Sequence, residues 1–453
     1  MPLDSISTRV LTQSEKVGAS QAEVYATRTL TRSVYIDDGI PKIVDAKKET
    51  GVGLRYVIGK KLGFTSSTLL AESLDDVVER ARSIAAVSSE DPKFESLPEP
   101  RNVSGDTSRF HDDSTANVDT EYLVERVMKL VEAATDDIVT IPNGVLRVSS
   151  VDFTVKNSLG VDAESSSTMV FGFFTAKSQD GGRVGEGVQR CWARRIEEID
   201  FAAIGSKLKS QARDVLTSRP FHDKWEDVVA VLAPSEGSQM LGSLIGFSTS
   251  AENVNKRSSP WADRLGEQVA HKSLTLSDNG LSERGLLSSL VDDEGIPSEK
   301  TLLIEDGILR SYLFDSYNAN IMDLESTGNG MRRDPREAQG RFTSPVSCAV
   351  STLEMAPGSK TPEAIIGETD RGIYIEHFAW PLVDPMSGAF SNEIRNARLI
   401  QDGELTEKIR NALLVGNLYE SIQKEIFVGS DCAVNNRYLM PTLGFAGVDL
   451  VGQ

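Results

Sequence analysis

The chain has 453 residues, 39% of them hydrophobic and 25% charged, and a formal net charge of −19. That length exceeds what one hydrophobic core takes, so two or three domains of ordinary globular composition are expected. A uniformly acidic chain repels phosphate, which argues against nucleic acid as a main partner.

Leu3, Ile6, Val10, Leu11 and Val17 share one helical face. AEVYATRTLTRSVYIDDGIPKIVDAK then reads as strand, Asp38-Gly39 turn and strand, and GVGLRYVIGKKLGFTSST as a second hairpin. Ser73 with Asp76 is a capping-box-like start, and Leu74, Val77, Val78, Ala81, Ile84 and Ala85 continue it as an amphipathic helix. Residues 88–118 are polar and proline-bearing, a linker or long surface loop. A second unit of the same layering follows. Leu123, Val127, Leu130, Val131 and Ala134 make a helix, and VLRVSSVDFTVKNS, TMVFGFFTAKS and VGEGVQRCWARRI read as strands with a tight turn at Asp180-Gly181-Gly182. Asp200 can cap a helix bearing Ile204, Leu208, Ala212 and Val215.

From about Trp225 the chain is mostly β and rich in glycine, a large antiparallel domain built from hairpins. Asp306-Gly307 and Asp402-Gly403 repeat the Asp38-Gly39 chemistry, supplying the positive φ angles of two-residue hairpins. Val228–Leu232 reads as a strand, Ala233-Pro234 breaks it, and Ser235 can cap a helix with Met240, Leu241, Leu244 and Ile245 at helical spacing. That helix has no His, Cys, Asp or Lys; its one carboxylate, Glu236, sits in the first turn, where it suits the helix dipole. The fold class expected is α+β: N-terminal helix/antiparallel-sheet units at 1–87 and 119–220, a linker or long loop at 88–118, and a large β-rich C-terminal domain at 225–453.

Four constellations could carry chemistry. Gly328-Asn329-Gly330 and Gly181-Gly182 lack the spacing of a phosphate-binding loop. Arg332, Arg333, Arg336 and Arg341 could clamp a carboxylate such as a peptide terminus, or form a solvated loop balanced by Asp334 and Glu337. Ser206-Lys207-Leu208-Lys209 has the SxxK form, on a helix that already has an apolar face to bury. Cys432 could ligate zinc and His377 alternates with apolar residues as a strand histidine, but the pair falls short of a metal site. The 3 cysteines, Cys191, Cys348 and Cys432, form no CxxC, and the 4 histidines, His111, His222, His271 and His377, show no metal-ligand spacing. Such cysteine usage fits a reducing cytoplasm. No apolar run approaches the roughly 18 residues of a membrane span, and MPLDSISTRVLTQSEK lacks the apolar core of a signal peptide. A cytoplasmic location without a membrane partner is therefore expected.

Residues 292–332, DDEGIPSEKTLLIEDGILRSYLFDSYNANIMDLESTGNGMR, resemble the TldD/PmbA family of peptidase-associated proteins. The shared pattern is D-x-EG-x-P, a strand, (I/L)-x-x-G-x-L, then (S/T)-x-G-N-(G/A) with an arginine soon after. SQAEVYATRTLTRSVYIDDG…GVGLRYVIGKKLGFTSST is similar to the family's first domain, and DPMSGAFSNEIRNARLIQDGELTEKIRNALLVGNLYESI to its closing domain. The resemblance implies two branches. TldD-type chains carry HExxxH on a helix of the C-terminal domain, plus a cysteine near the C-terminus, as zinc ligands, with the glutamate as general base. Here the corresponding helix is the one after VVAVLAPSEGSQ, and no histidine occurs between His222 and His271. The chain is thereby identified with the PmbA/TldE branch, and Cys432 becomes a possible leftover ligand.

What the resemblance then implies is a zinc-free subunit that has no catalytic residue or metal of its own. It pairs with a TldD-type zinc subunit, and the pair acts on peptides or unfolded segments in an enclosed cavity. Asn329, Arg332 and Arg333 are its candidate peptide-binding residues. Two other readings stay open: a homodimeric peptide-binding module with no peptidase partner, and an independent hydrolase using Ser206 or Cys432.

Overall fold

The computed structural model describes residues 1–68, 74–332 and 340–452, the side chain of Ile43 excepted. Ser73, the expected cap of the second helix, lies outside them.

Six strands build one antiparallel sheet: β1 (Gln21–Asp37), β2 (Ile40–Ile58), β3 (Lys61–Thr68), β4 (Val139–Asn157), β5 (Asp162–Asp180) and β6 (Arg183–Ala193). Their spatial order is β3-β2-β1-β4-β5-β6. β1 pairs with β4 from Glu23↔Asn157 to Asp37↔Asn143, so the two N-terminal strand groups share a single sheet. Asp38-Gly39, Asp306-Gly307 and Asp402-Gly403 all adopt positive φ at both residues, the turn chemistry expected of them. β2 is one continuous strand of 19 residues where the sequence suggests the end of one hairpin and the start of another. Gly51 looks like a break for a different reason: Phe342 lies on the sheet there, and a Cβ on Gly51 would stand 2.2 Å from its ring.

Helices cover one face of this sheet. α1 (Leu3–Lys16) and α2 (Leu74–Val87) bury Ile6, Val10, Val77 and Val78 with Val24, Ala26 and Leu54. After a single turn, α3 (Asp113–Ala116), come α4 (Thr120–Ala134) and α5 (Phe201–Thr217), which bury Leu123, Leu130 and Leu208 with Val148, Val170 and Phe174. Each such side chain contributes about 1.5–3 kcal/mol. Asp119 and Asp200 cap α4 and α5, accepting from Tyr122 N at 2.7 Å and Ala203 N at 3.0 Å. A Cβ on Gly63 would stand 2.2 Å from the Ala81 carbonyl oxygen, so only glycine lets α2 lie this close to β3. Because strand side chains alternate, Val24 and Ala26 point to the helices while Glu23 and Tyr25 point to the opposite face, which is covered by the C-terminal domain.

That domain is mixed rather than purely antiparallel. Lys224–Leu232 pairs in parallel with Arg371–Phe378 and antiparallel with Leu443–Gly452; Ala412–Asn417, then Ala389–Gln401, continue the ladder, and Ala389–Gln401 pairs back to Arg371–Phe378. The hydrogen-bonding path thus closes on itself. A parallel pair needs a long crossover, and the chain between its two strands contains α6 (Pro234–Thr249), whose Met240, Leu241, Leu244 and Ile245 are buried in one core with Ile373, Phe390 and Leu443. A second sheet, also six-stranded, has Leu276–Asn279 and Leu353–Glu354 at its centre and holds another parallel pair, Leu353↔Tyr438. No helix among the described residues is long and apolar enough to cross a membrane.

Candidate functional site

The two regions meet through a buried ion network. Glu23 and Arg55 stand directly opposite each other on β1 and β2. Arg55 donates from Nε to Glu23 Oε1 at 2.9 Å and from Nη2 to Glu23 Oε2 and, at 2.8 Å, to Glu294 Oε1. Arg332 Nη2 donates to the same Glu23 at 2.5 Å, with its guanidinium 5.0 Å from the Tyr25 ring centre. The side chains of Glu23, Glu294 and Arg332 are at most 1% exposed. These ions are paired and hydrogen-bonded as burial demands.

Further contacts tie D-x-EG-x-P to the later STGNG. Asp292 Oδ1 accepts from Glu294 N and Ile296 N, each at 2.9 Å, and its Oδ2 accepts from Gly330 N at 2.8 Å. Asp293 accepts from Tyr25 OH at 3.0 Å and Arg332 N at 2.7 Å. Gly330 is required because a Cβ there would stand 2.6 Å from Glu294 Oε2. Burial, then the Glu294 charge, pushes the Asp292 carboxyl well above its ordinary range.

Two recesses flank the short helix Ala251–Asn255, and both include Glu252. One, of about 380 Å³, is lined by Gln239, Gly242, Ser243, Gly246 and Phe247 of α6 and by Asn436 to Tyr438. The Asn436 Oδ1 is buried without a hydrogen-bond partner. The other, of about 420 Å³, lies where β2, β3 and residues 93–98 meet the C-terminal domain, with Arg55, Glu294 and Asp315 among its walls.

The sequence candidates are dispersed. Asn329 is buried, donating to Asp278 Oδ2 at 2.7 Å and the Ala349 carbonyl at 3.1 Å. Arg332 belongs to the buried network, Arg341 is buried beside Phe342, and Arg333, Arg336, Asp334 and Glu337 lie outside the described residues. Ser206 is exposed on α5. Cys432 is half-buried, with its carbonyl accepting from Arg284 Nη2 at 3.3 Å, and it lines neither recess. Ser235 does not cap α6: Ala233 is the cap residue, Pro234 opens the helix, and Ser235 Oγ donates to Glu236 Oε1 at 3.0 Å. Glu236 is buried, its Oε2 accepting from Phe378 N at 3.1 Å and its Oε1 standing 3.6 Å from His377 Nδ1. Sequence reading missed Glu23, Arg55, Asp315 and the Glu236–His377 contact. The alternation Glu23-Val24-Tyr25-Ala26 is the one local signal that pointed to the first of these.

Three family models match the chain: PmbA/TldA metallopeptidase domain 1 over residues 22–85, the central domain over 113–216 and the C-terminal domain over 226–452. The chain belongs to the PmbA/TldD metallopeptidase family. Within that family, a metalloprotease TldD homolog of Haemophilus influenzae is 26% identical, covering 89% of this chain and 84% of its own length. A metalloprotease PmbA homolog of Buchnera aphidicola is 23% identical over 92% of this chain and 90% of its own. TldE from Thermococcus kodakarensis has the same fold, with a TM-score of 0.86 at 23% identity, covering 99% of this chain and 100% of that one.

In TldD/PmbA terms, α6 is the helix on which the resemblance puts zinc ligands. The face that lines the recess offers amide, hydroxyl, backbone and phenyl groups, which are not a zinc donor set. Cys348, the thiol in that recess, donates to the Leu313 carbonyl at 2.8 Å, and burial pushes it up to about 12. Among the described residues no three His, Cys, Asp or Glu side chains gather as a metal site. The described residues of this recess do not fit the ion.

Proposed function

We propose that this chain is the zinc-free subunit of a two-chain TldD/PmbA-type metallopeptidase acting on peptides or unfolded segments, with zinc held by a TldD-type partner. One observation carries the reading: the α6 face that a zinc peptidase of this family would furnish with imidazoles is built here from Gln239, Gly242, Ser243, Gly246 and Phe247. An α6 face of amide, hydroxyl, backbone and phenyl groups suits contact with an extended backbone better than hydrolysis of it. The unpartnered Asn436 Oδ1 supports this, since a peptide N–H would satisfy it. Asn329 and Arg332, held by intrachain bonds, serve the reading by fixing the walls.

Mixing the purified chain with a TldD-type protein from the same organism tests the proposal by size-exclusion chromatography and cleavage of an unfolded polypeptide. The expected result is a stable heteromer with chelator-sensitive peptidase activity, and no activity from this chain alone. Absence of any heteromer overturns it, and a chain that binds peptide only as a homodimer replaces it with the binding-module reading.

A further inference from the structure

The 420 Å³ cavity at the junction of the two regions has no role in the account so far, and its floor is chemically unfinished. Asp315 is 4% exposed. Its Oδ1 accepts from Asn318 N and Nδ2, both at 2.8 Å, while its Oδ2 accepts no hydrogen bond among the described residues. Next to it, Ser316 is 7% exposed, and its buried Oγ has no hydrogen-bond partner. An orphaned hydroxyl in a native interior calls for a ligand.

The charges around the floor leave an excess. The carboxylates of Glu23, Glu294 and Asp315 face two guanidiniums, Arg55 and Arg332, already committed to Glu23 and Glu294. Burial and the charge of Glu294 raise the Asp315 carboxyl to about 6, with Arg55 acting the other way. Near neutral pH it is therefore largely ionised, and among the described residues it makes no ion pair of its own. At the mouth, Glu252 and Lys256 pair with each other at 2.6 Å, and Lys93 is exposed. Phe64, Phe94, Leu97, Tyr317 and Ile321 supply an apolar part of the wall. One open carboxylate oxygen and one hydroxyl are too few donors for a metal ion, but they suit a compact cation with three donors on an apolar stem.

We infer that this cavity binds a primary ammonium carried on an apolar stem, from a lysine side chain or from the N-terminal residue of a polypeptide, with Asp315 as its counter-charge and Ser316 Oγ as an acceptor. The inference concerns this chain's own cavity and stands or falls without a TldD-type partner or peptidase activity.

Isothermal titration of the isolated full chain tests it with two matched pairs. The first is acetyl-Ala-Lys-Ala-amide against its norleucine analogue, and the second is Ala-Leu-Ala-amide with a free against an acetylated amino terminus. A charge-assisted hydrogen bond predicts a preference of about tenfold or more for the amine of at least one pair. The pair that discriminates identifies the source. Asp315→Asn, which keeps the acceptor for Asn318, should abolish the preference, and Ser316→Ala should weaken amine binding severalfold. Equal affinities within both pairs, no binding at all, or a preference that survives Asp315→Asn overturns the inference.

Discussion

Replacing Glu23 by alanine should destabilise the protein by about 3–5 kcal/mol, the usual consequence of removing one partner from a buried ion cluster. Glu23 is fully buried and accepts from both Arg55 and Arg332, so its loss takes the carboxylate from Arg332 and leaves Arg55 with Glu294 alone. Neither can escape to water easily: the Arg332 side chain is 1% exposed and the Arg55 side chain 13%. The Arg332 Nε is already without a partner, which leaves no slack for re-pairing. Denaturant melts followed by far-ultraviolet circular dichroism measure the effect. The matched control is Glu407→Ala, which breaks the exposed pair to Arg219 and should shift stability by less than about 0.5 kcal/mol. Equal shifts for the two variants would mean that the network does not hold the sheet against the C-terminal domain.

The second large effect has the opposite sign. Asp315→Asn should stabilise the protein at pH 8 and change little at pH 4. A carboxyl raised from 3.8 to about 6 on folding binds its proton more tightly in the native state. Its contribution to stability is complete below the unfolded value of 3.8 and is lost as the pH rises through about 6. Above that, the wild type carries a buried charge that the amide lacks, a difference of about 2–3 kcal/mol at 1.36 kcal/mol per pKa unit. Asp292, raised by the same Glu294, shifts in the same direction and remains in both proteins, so the comparison between them isolates Asp315. Thermal melts of both proteins across pH 4–8 give the curve. Parallel curves would show that Asp315 is already balanced, and would remove the physical basis for an ammonium in the cavity. A retained destabilising charge beside an unused hydroxyl is what a binding site, rather than a packing site, looks like.

What the sequence made legible was local. The three Asp-Gly turns, the caps Asp119 and Asp200 and the apolar faces of α1, α2, α4 and α5 follow from chemistry within a few residues. Asp200 is read as a cap from the sequence and Asp119 is not, although both obey the same rule. What it hid was long-range. Glu23 and Arg332 are 309 positions apart, and Arg55 and Glu294 are 239 apart. Polar residues on the second face of a strand read as solvated until another domain is found covering them. The same blindness made Arg332 look free to clamp a carboxylate, when it already holds one. The reason for Gly51 and Gly53 was hidden likewise, because the residue that needs the space, Phe342, is distant in the chain. The α6 face was legible in the opposite way, through residues it lacks.

The zinc content of the isolated chain, measured by mass spectrometry after equilibration with zinc and dialysis, tests the central claim most directly. The account predicts no retained zinc in this chain and retained zinc in its complex with a TldD-type partner. One tightly held zinc per isolated chain would contradict it.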